Sequence, residues 1–185
     1  VLLFSLCLGV AGCRNPDDVI KAAKFGDLKS LVKSLDAGIQ IDHADPAGET
    51  ALFHVIGSGS KKGFDLLMER GASTQIKDIQ GNTALHKAAT FSRESFAEKL
   101  INMGVKVNST NKVGSTPLHY AVRNGDVNIT KLLLEHGAEK NILDFQGNSV
   151  VNVVESMLNE DSLSDSMGNV ISKKSILNIQ KILKQ

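Results

Sequence analysis

Apolar positions in this chain come in short stripes at helical spacing, separated by polar stretches punctuated with glycine. Leu28, Leu31, Val32 and Leu35 make one such stripe, and apolar residues three and four apart share one face of a helix. Leu66-Leu67-Met68 and Leu132-Leu133-Leu134 belong to similar segments that close at Gly71 and Gly137. Glycine at such a point accepts the left-handed conformation of a helix C-cap. Thr50, Thr83, Thr116 and Ser149 each precede an apolar segment, where a hydroxyl oxygen can take an orphan backbone N–H as an N-cap. These landmarks recur. Gly48, Gly81, Gly114 and Gly147 are each 33 residues apart, and the hydroxyls keep the same step. So do Asp45, Asp78, Asn111 and Asp144, and the turn glycines Gly38, Gly71, Gly104 and Gly137. A period near 33 with two helices per unit predicts a stacked repeat array. One helix pair cannot bury its apolar face alone, so neighbours must cover it.

The residues at the repeated positions resemble the ankyrin family. Thr116-Pro117-Leu118-His119-Tyr120-Ala121 is close to that family's Thr-Pro-Leu-His-x-Ala signature, and Thr83-Ala84-Leu85-His86-Lys87-Ala88 repeats it with Ala for Pro. Leu132 to Ala138 and Leu66 to Ala72 look like the family's second helix and closing turn. The resemblance implies an all-α fold, an ankyrin-repeat solenoid of helix-turn-helix units with hairpin loops, about five repeats including caps. It covers roughly residues 15–185, most strongly 45–147.

The units are then a cap repeat over 15–44, full repeats over 45–77, 78–110 and 111–143, and a divergent closing repeat over 144–185. In the cap repeat Asn15 caps, Pro16 starts the helix, and Asp17 and Asp18 favour its positive end. Repeat two has Phe53 where the signature has His, and Gly57-Ser58-Gly59-Ser60 between its helices. Glycines weaken helix ends, so this is expected to be the softest full repeat. The closing repeat has Val150 for Pro and Asn152 for His, and a polar insertion, residues 159–168, expected as a surface loop before a final helix over about 171–184.

Residues 1–12 are uncharged and almost wholly apolar. They are too few to span a bilayer, which needs ~20 residues, and fit the apolar region of a secretion signal. Val10-Ala11-Gly12-Cys13 resembles a bacterial lipobox. The resemblance implies removal of 1–12, lipidation of Cys13 with acyl chains that insert in a membrane, and a short linker at 13–14. Arg14, in place of the Asp linked to inner-membrane retention, points to the outer membrane. An ordinary secretory signal with an incidental cysteine, or a buried N-terminal helix, are the alternatives. Cys7 and Cys13 are the two cysteines, and Cys7 lies in the removed segment, so no disulfide is expected.

Twenty-one Lys and Arg against twenty Asp and Glu give a net charge of +1, which does not call for nucleic acid or an anionic partner. No catalytic residue, cofactor or metal site is expected. His86 and His119 occupy the signature position, where the family uses His to bond the Thr and the next repeat. Gly57 to Lys62 lacks phosphate-loop spacing, and Glu160, Asp161 and Asp165 miss the calcium-loop pattern. The last helix carries Lys173, Lys174, Lys181 and Lys184 beside Ile176, Leu177, Ile179, Ile182 and Leu183. It is expected to close the array, with a membrane-surface role as the alternative.

Ankyrin-like arrays bind proteins through hairpin tips and the exposed face of the first helices. The positions free for a partner are Ile79, Gln80, Asn82 and Phe91 in repeat three and Lys112, Val113, Tyr120, Arg123 and Asn124 in repeat four. Phe145 and Gln146 are free in the closing repeat. Aromatics and Arg carry most interface energy where they are centrally buried, which favours Tyr120 and Phe145. Phe91 fits packing under the next turn equally well. The expectation is a non-catalytic, monomeric protein-interaction module, lipid-anchored in a bacterial cell envelope, acting as a scaffold or protective partner. The alternatives are an immunity-type inhibitor and, behind it, an enzyme or a host-directed effector.

Overall fold

The computed structural model describes residues 15–160 and 163–185. The signal-like segment, Cys13 and Arg14 lie outside these, as do residues 161 and 162 of the insertion. Ten helices follow in order: α1 Asp17–Phe25, α2 Leu28–Asp36, α3 Ala51–Ser58, α4 Lys61–Glu69, α5 Ala84–Thr90, α6 Glu94–Asn102, α7 Pro117–Arg123, α8 Val127–Glu135, α9 Val150–Leu158 and α10 Lys173–Leu183. Odd-numbered helices pack on one another in an inner row, and α2, α4, α6 and α8 form an outer row. The architecture is an all-helical repeat solenoid.

The cap chemistry sets the helix starts. Thr83 Oγ1 takes the His86 N–H, Asp126 that of Ile129 and Ser149 that of Asn152. In α1, Asn15 Oδ1 accepts the Asp17 N–H at 2.9 Å. Short inner helices rich in alanine let the rows approach: Ala51, Ala84, Ala88, Ala89 and Ala121 are all fully buried. The outer row contributes the bulk, with Phe64, Leu67, Phe96, Leu100, Ile129 and Leu133 sealed between units. Phe64 and Phe96 stack in consecutive outer helices, ring centroids 4.9 Å apart and 10° from coplanar.

The C-terminal end differs from a plain repeat. α10 packs on α8 and α9, the place of the outer helix of repeat five. The stretch before it, expected as a surface loop, contains a second hairpin turn. Asp165 Oδ1 accepts the N–H groups of Met167 at 2.9 Å and Asn169 at 2.8 Å, and Ser164 bridges Val170. The Asp45 turn is built identically, with its own bridge from Ala44 to Thr50. The repeat's turn chemistry has been reused between α9 and α10, out of register with the rest.

Candidate partner-binding surface

Four hairpin tips project from the starts of the inner helices and are tied into a ladder. Ile79 N–H donates to Ala47 O at 2.9 Å, Lys112 N–H to Gln80 O at 2.8 Å, and Phe145 N–H to Val113 O at 3.0 Å. Each turn is also braced within itself by its Asp or Asn side chain, as Asp78 Oδ1 is by Gln80 N–H and Asn82 N–H. The tips are therefore rigid, and they carry apolar side chains into solvent. Ile79 is 58%, Val113 55% and Phe145 79% exposed. Gln80, Lys112 and Gln146 are exposed between them.

The remaining sequence-designated positions have intramolecular partners. Tyr120 is half-buried, its hydroxyl accepting from Asn111 Nδ2 at 2.9 Å and its ring edge-on to His86. Asn82 Oδ1 accepts from the same Asn111 amide at 2.8 Å. Arg123 Nη2 donates to buried Asp144 at 2.7 Å. Asn124 Nδ2 donates to the carbonyls of Ala89 and Thr90, at 3.1 and 2.8 Å. Phe91 is half-buried, with the Lys87 ammonium 5.2 Å from its ring centre. The structure thus brings Ile79, Gln80, Lys112, Val113, Phe145 and Gln146 together on one free edge. It sets Asn82, Tyr120, Arg123 and Asn124 into the joints between repeats.

Below the ladder, the second hairpin lies back across the inter-helix turns of repeats three and four. Ser166 N–H donates to Asn124 Oδ1 at 3.1 Å, and its hydroxyl to Thr90 O at 2.9 Å. Ile171 is buried against Gly125. A recess of about 330 Å³ remains between this strap and α9, lined by Asn148, Asn152, Val153, Ser156, Met157 and Leu163 among others. Ser166 and Ile171 were not singled out in the sequence. The usable signal was Asp165-Ser166-Met167-Gly168-Asn169, which spells the same turn as Asp78-Ile79-Gln80-Gly81-Asn82.

Gly125 gives the strap a direct test. It sits at φ +66, and a Cβ there would meet Ile171 Cγ2 at 2.4 Å. Gly26 has nearly the same backbone, φ +68, with nothing within 4 Å. Gly26→Ala therefore reports left-handed strain alone, ~1–2 kcal/mol. Gly125→Ala is expected to cost ~1–3 kcal/mol more through overpacking and to speed hydrogen exchange at the Ser166 amide ~10-fold or more, the factor for ~1.4 kcal/mol of lost local stability. Equal effects of the two substitutions would show that the strap is not seated on Gly125.

The titratable groups of the inner face serve structure. Thr83 N–H donates to His86 Nδ1 at 3.1 Å, so the proton is on Nε2, which donates to Ser115 O at 3.0 Å. His119 repeats this with Thr116 and Asn148 O. Burial pushes His86 down to about 4, against the opposing bond to Ser115 O, and lowers His119 in the same way. Burial pushes the Asp144 carboxyl up, but N–H donors from Asn148 and Gln146 and the Arg123 guanidinium outweigh it and hold it below its ordinary value. Among the described residues, one mixed cluster of metal-ligating type occurs, Asp45, Glu49 and His54. No described helix is long and apolar enough to cross a membrane.

Comparison with known proteins agrees with this geometry. The family model described as ankyrin repeats matches residues 19–111 and 66–144. The chain is 33% identical over 137 residues to phosphocholine transferase AnkX of Legionella pneumophila, covering 70% of this chain and 14% of that protein. It is 31% identical over 93 residues to an ankyrin repeat protein of Acanthamoeba polyphaga mimivirus, covering 47% and 12%. With diacylglycerol kinase zeta of Rattus norvegicus it shares 26% over 98 residues, covering 52% and 10%. The chain thus spans about a tenth to a seventh of the length of these relatives. The period, the bonded hairpin ladder and the family match agree: the chain belongs to the ankyrin-repeat family, whose arrays are protein-interaction modules.

Proposed function

We propose that this chain is a non-catalytic protein-binding module, lipid-anchored through Cys13 in a bacterial cell envelope, and that it acts as a scaffold or protective partner. The row of exposed apolar tips, Ile79, Val113 and Phe145, on a hydrogen-bonded ladder carries the reading. Apolar side chains held rigidly in solvent lose little entropy when a partner covers them. Lys112, Gln80 and Gln146 supply a polar rim of the kind that surrounds an interface centre. The histidines and most carboxylates of the inner face are already spent on joints and caps, which speaks against acid–base chemistry there. The lipobox resemblance of Val10-Ala11-Gly12-Cys13 supports the anchor.

The test is capture from detergent-solubilised native envelope, with the parent beside an Ile79→Ser/Val113→Ser/Phe145→Ser variant. These side chains lie outside the core, so the variant is expected to melt within ~5 °C of the parent, three surface changes being worth under ~0.5 kcal/mol each. Loss of ≥ ~2 kcal/mol at an interface centre predicts at least ~30-fold weaker capture. Equal capture would remove the tips from the interface. Cys13→Ser is expected to shift the protein from the membrane to the soluble fraction, and an unchanged distribution would refute the anchor. If a captured enzyme loses activity when bound, the module is an inhibitor rather than a scaffold.

A further inference from the structure

Repeat two lacks the fastening that its neighbours share. In repeats three and four a buried histidine ties the cap threonine to the next repeat. In repeat two Phe53 stands in that place, and the buried Thr50 hydroxyl has no partner. The histidine of this repeat comes one residue later and turns to the hairpin instead. His54 Nε2 meets Asp45 Oδ2 at 2.9 Å, and Nδ1 lies 3.8 Å from Glu49 Oε2. Asp45 is set for this contact, since its Oδ1 is held by the N–H groups of Ala47 and Glu49 at 2.8 and 3.0 Å. One donor atom from each of the three residues falls within 4.8 Å of the others. Their side chains are 12% to 21% exposed, sheltered yet still reached by solvent.

We propose that Asp45, Glu49 and His54 form a divalent transition-metal site, for Zn²⁺ foremost, that fastens the first hairpin to α3. One imidazole and two carboxylates are a borderline-soft set suited to Zn²⁺, with a fourth position left for water or a partner's side chain. Three ligands including a nitrogen are too few and too soft for Ca²⁺ or Mg²⁺. The Lys87 ammonium, which pairs with Glu49, must release it on binding. Lys87 therefore competes with the metal. That competition separates a metal site from a plain ion-pair network, because removing Lys87 should weaken the network and strengthen the site.

Every sample carries Cys7→Ser and Cys13→Ser, so that no thiol binds metal. Isothermal titration with Zn²⁺ and the visible absorption of bound Co²⁺ are read at pH 7.5, with the melting midpoint followed alongside. The expected result is one saturable site per chain, a midpoint raised by ~2–4 °C at high occupancy, and no response to Mg²⁺. His54→Ala should weaken binding at least ~10-fold. His54→Gln, which keeps the bulk and a polar end, should do the same with the fold intact by circular dichroism. Lys87→Met should tighten binding ~10-fold by removing a charge a few ångströms from the ion. No saturable binding overturns the proposal. So does binding that survives both His54 variants, or an affinity that Lys87→Met leaves unchanged or weaker.

Discussion

Phe64→Ala is expected to lower the stability of the whole array by ~3–5 kcal/mol, the range for truncating a fully buried phenylalanine. Phe64 is 0% exposed, and its ring lies flat on Phe96 of the next outer helix. Truncation removes the burial of one ring and leaves the other facing a cavity that short, tightly packed helices close poorly. At ~2–4 °C per kcal/mol for a chain of this size, the melting midpoint should fall by roughly 6–20 °C. Position in the array adds to the effect. Solenoid stability is a sum of unit terms and nearest-neighbour interface terms, and this pair is the interface between repeats two and three. Repeats one and two should then exchange backbone protons faster than repeats four and five, as a locally uncoupled segment. Leu143→Ala is the control, because Leu143 is 56% exposed and should stay within ~0.5 kcal/mol of the parent. A uniform loss of protection along the chain would show that the interface is not the weak joint.

The repeat frame was legible because each landmark answers a local physical need. Gly114 sits at φ +75, and a Cβ there would meet Phe145 Cδ1 at 2.8 Å. Glycine is required both by the turn and by the next hairpin. Thr83 and Thr116 precede their helices because the caps demand it, and His86 and His119 follow three residues later because that spacing closes the capping box. What was not legible is what long polar side chains reach. Tyr120, Arg123 and Asn124 occupy positions that the frame leaves free, yet their ends find partners across the repeat boundary at Asn82, Asp144 and Thr90. The strap was hidden for a related reason. Ser166 and Thr90 are 76 residues apart, and no local pattern encodes such a contact. Asp165 and Gly168 build a repeat-type turn, but they stand outside the 33-residue register that exposed the others.

His86→Phe is expected to cost ~2–4 kcal/mol at neutral pH and to remove a distinct part of the acid sensitivity. The substitution places in repeat three what repeat two has at Phe53. It orphans the Thr83 backbone N–H and leaves the Ser115 carbonyl with the Asn111 N–H as its remaining donor; a buried polar group left unpaired costs ~1–3 kcal/mol, and fitting the bulkier ring ~1 kcal/mol or more. The pH effect follows from the folded state holding His86 neutral, at about 4, against 6.5 for a free histidine. Between those values the unfolded chain binds the proton and the folded chain does not, so stability rises with pH through this window and is level above it. Read downward, His86 withdraws about 3 kcal/mol as pH falls from 6.5 to 4. His119 acts in the same direction. Asp45 and Asp144, held below the ordinary carboxylate value, lose their contributions only at lower pH still. Urea midpoints measured from pH 7.5 to 4 should therefore fall steeply in the parent and less steeply in His86→Phe, the two curves converging as acid is added. Parallel curves would mean that His86 takes up its proton without disturbing the joint between repeats three and four. The bond from Nε2 to Ser115 O would then not be what holds that joint closed.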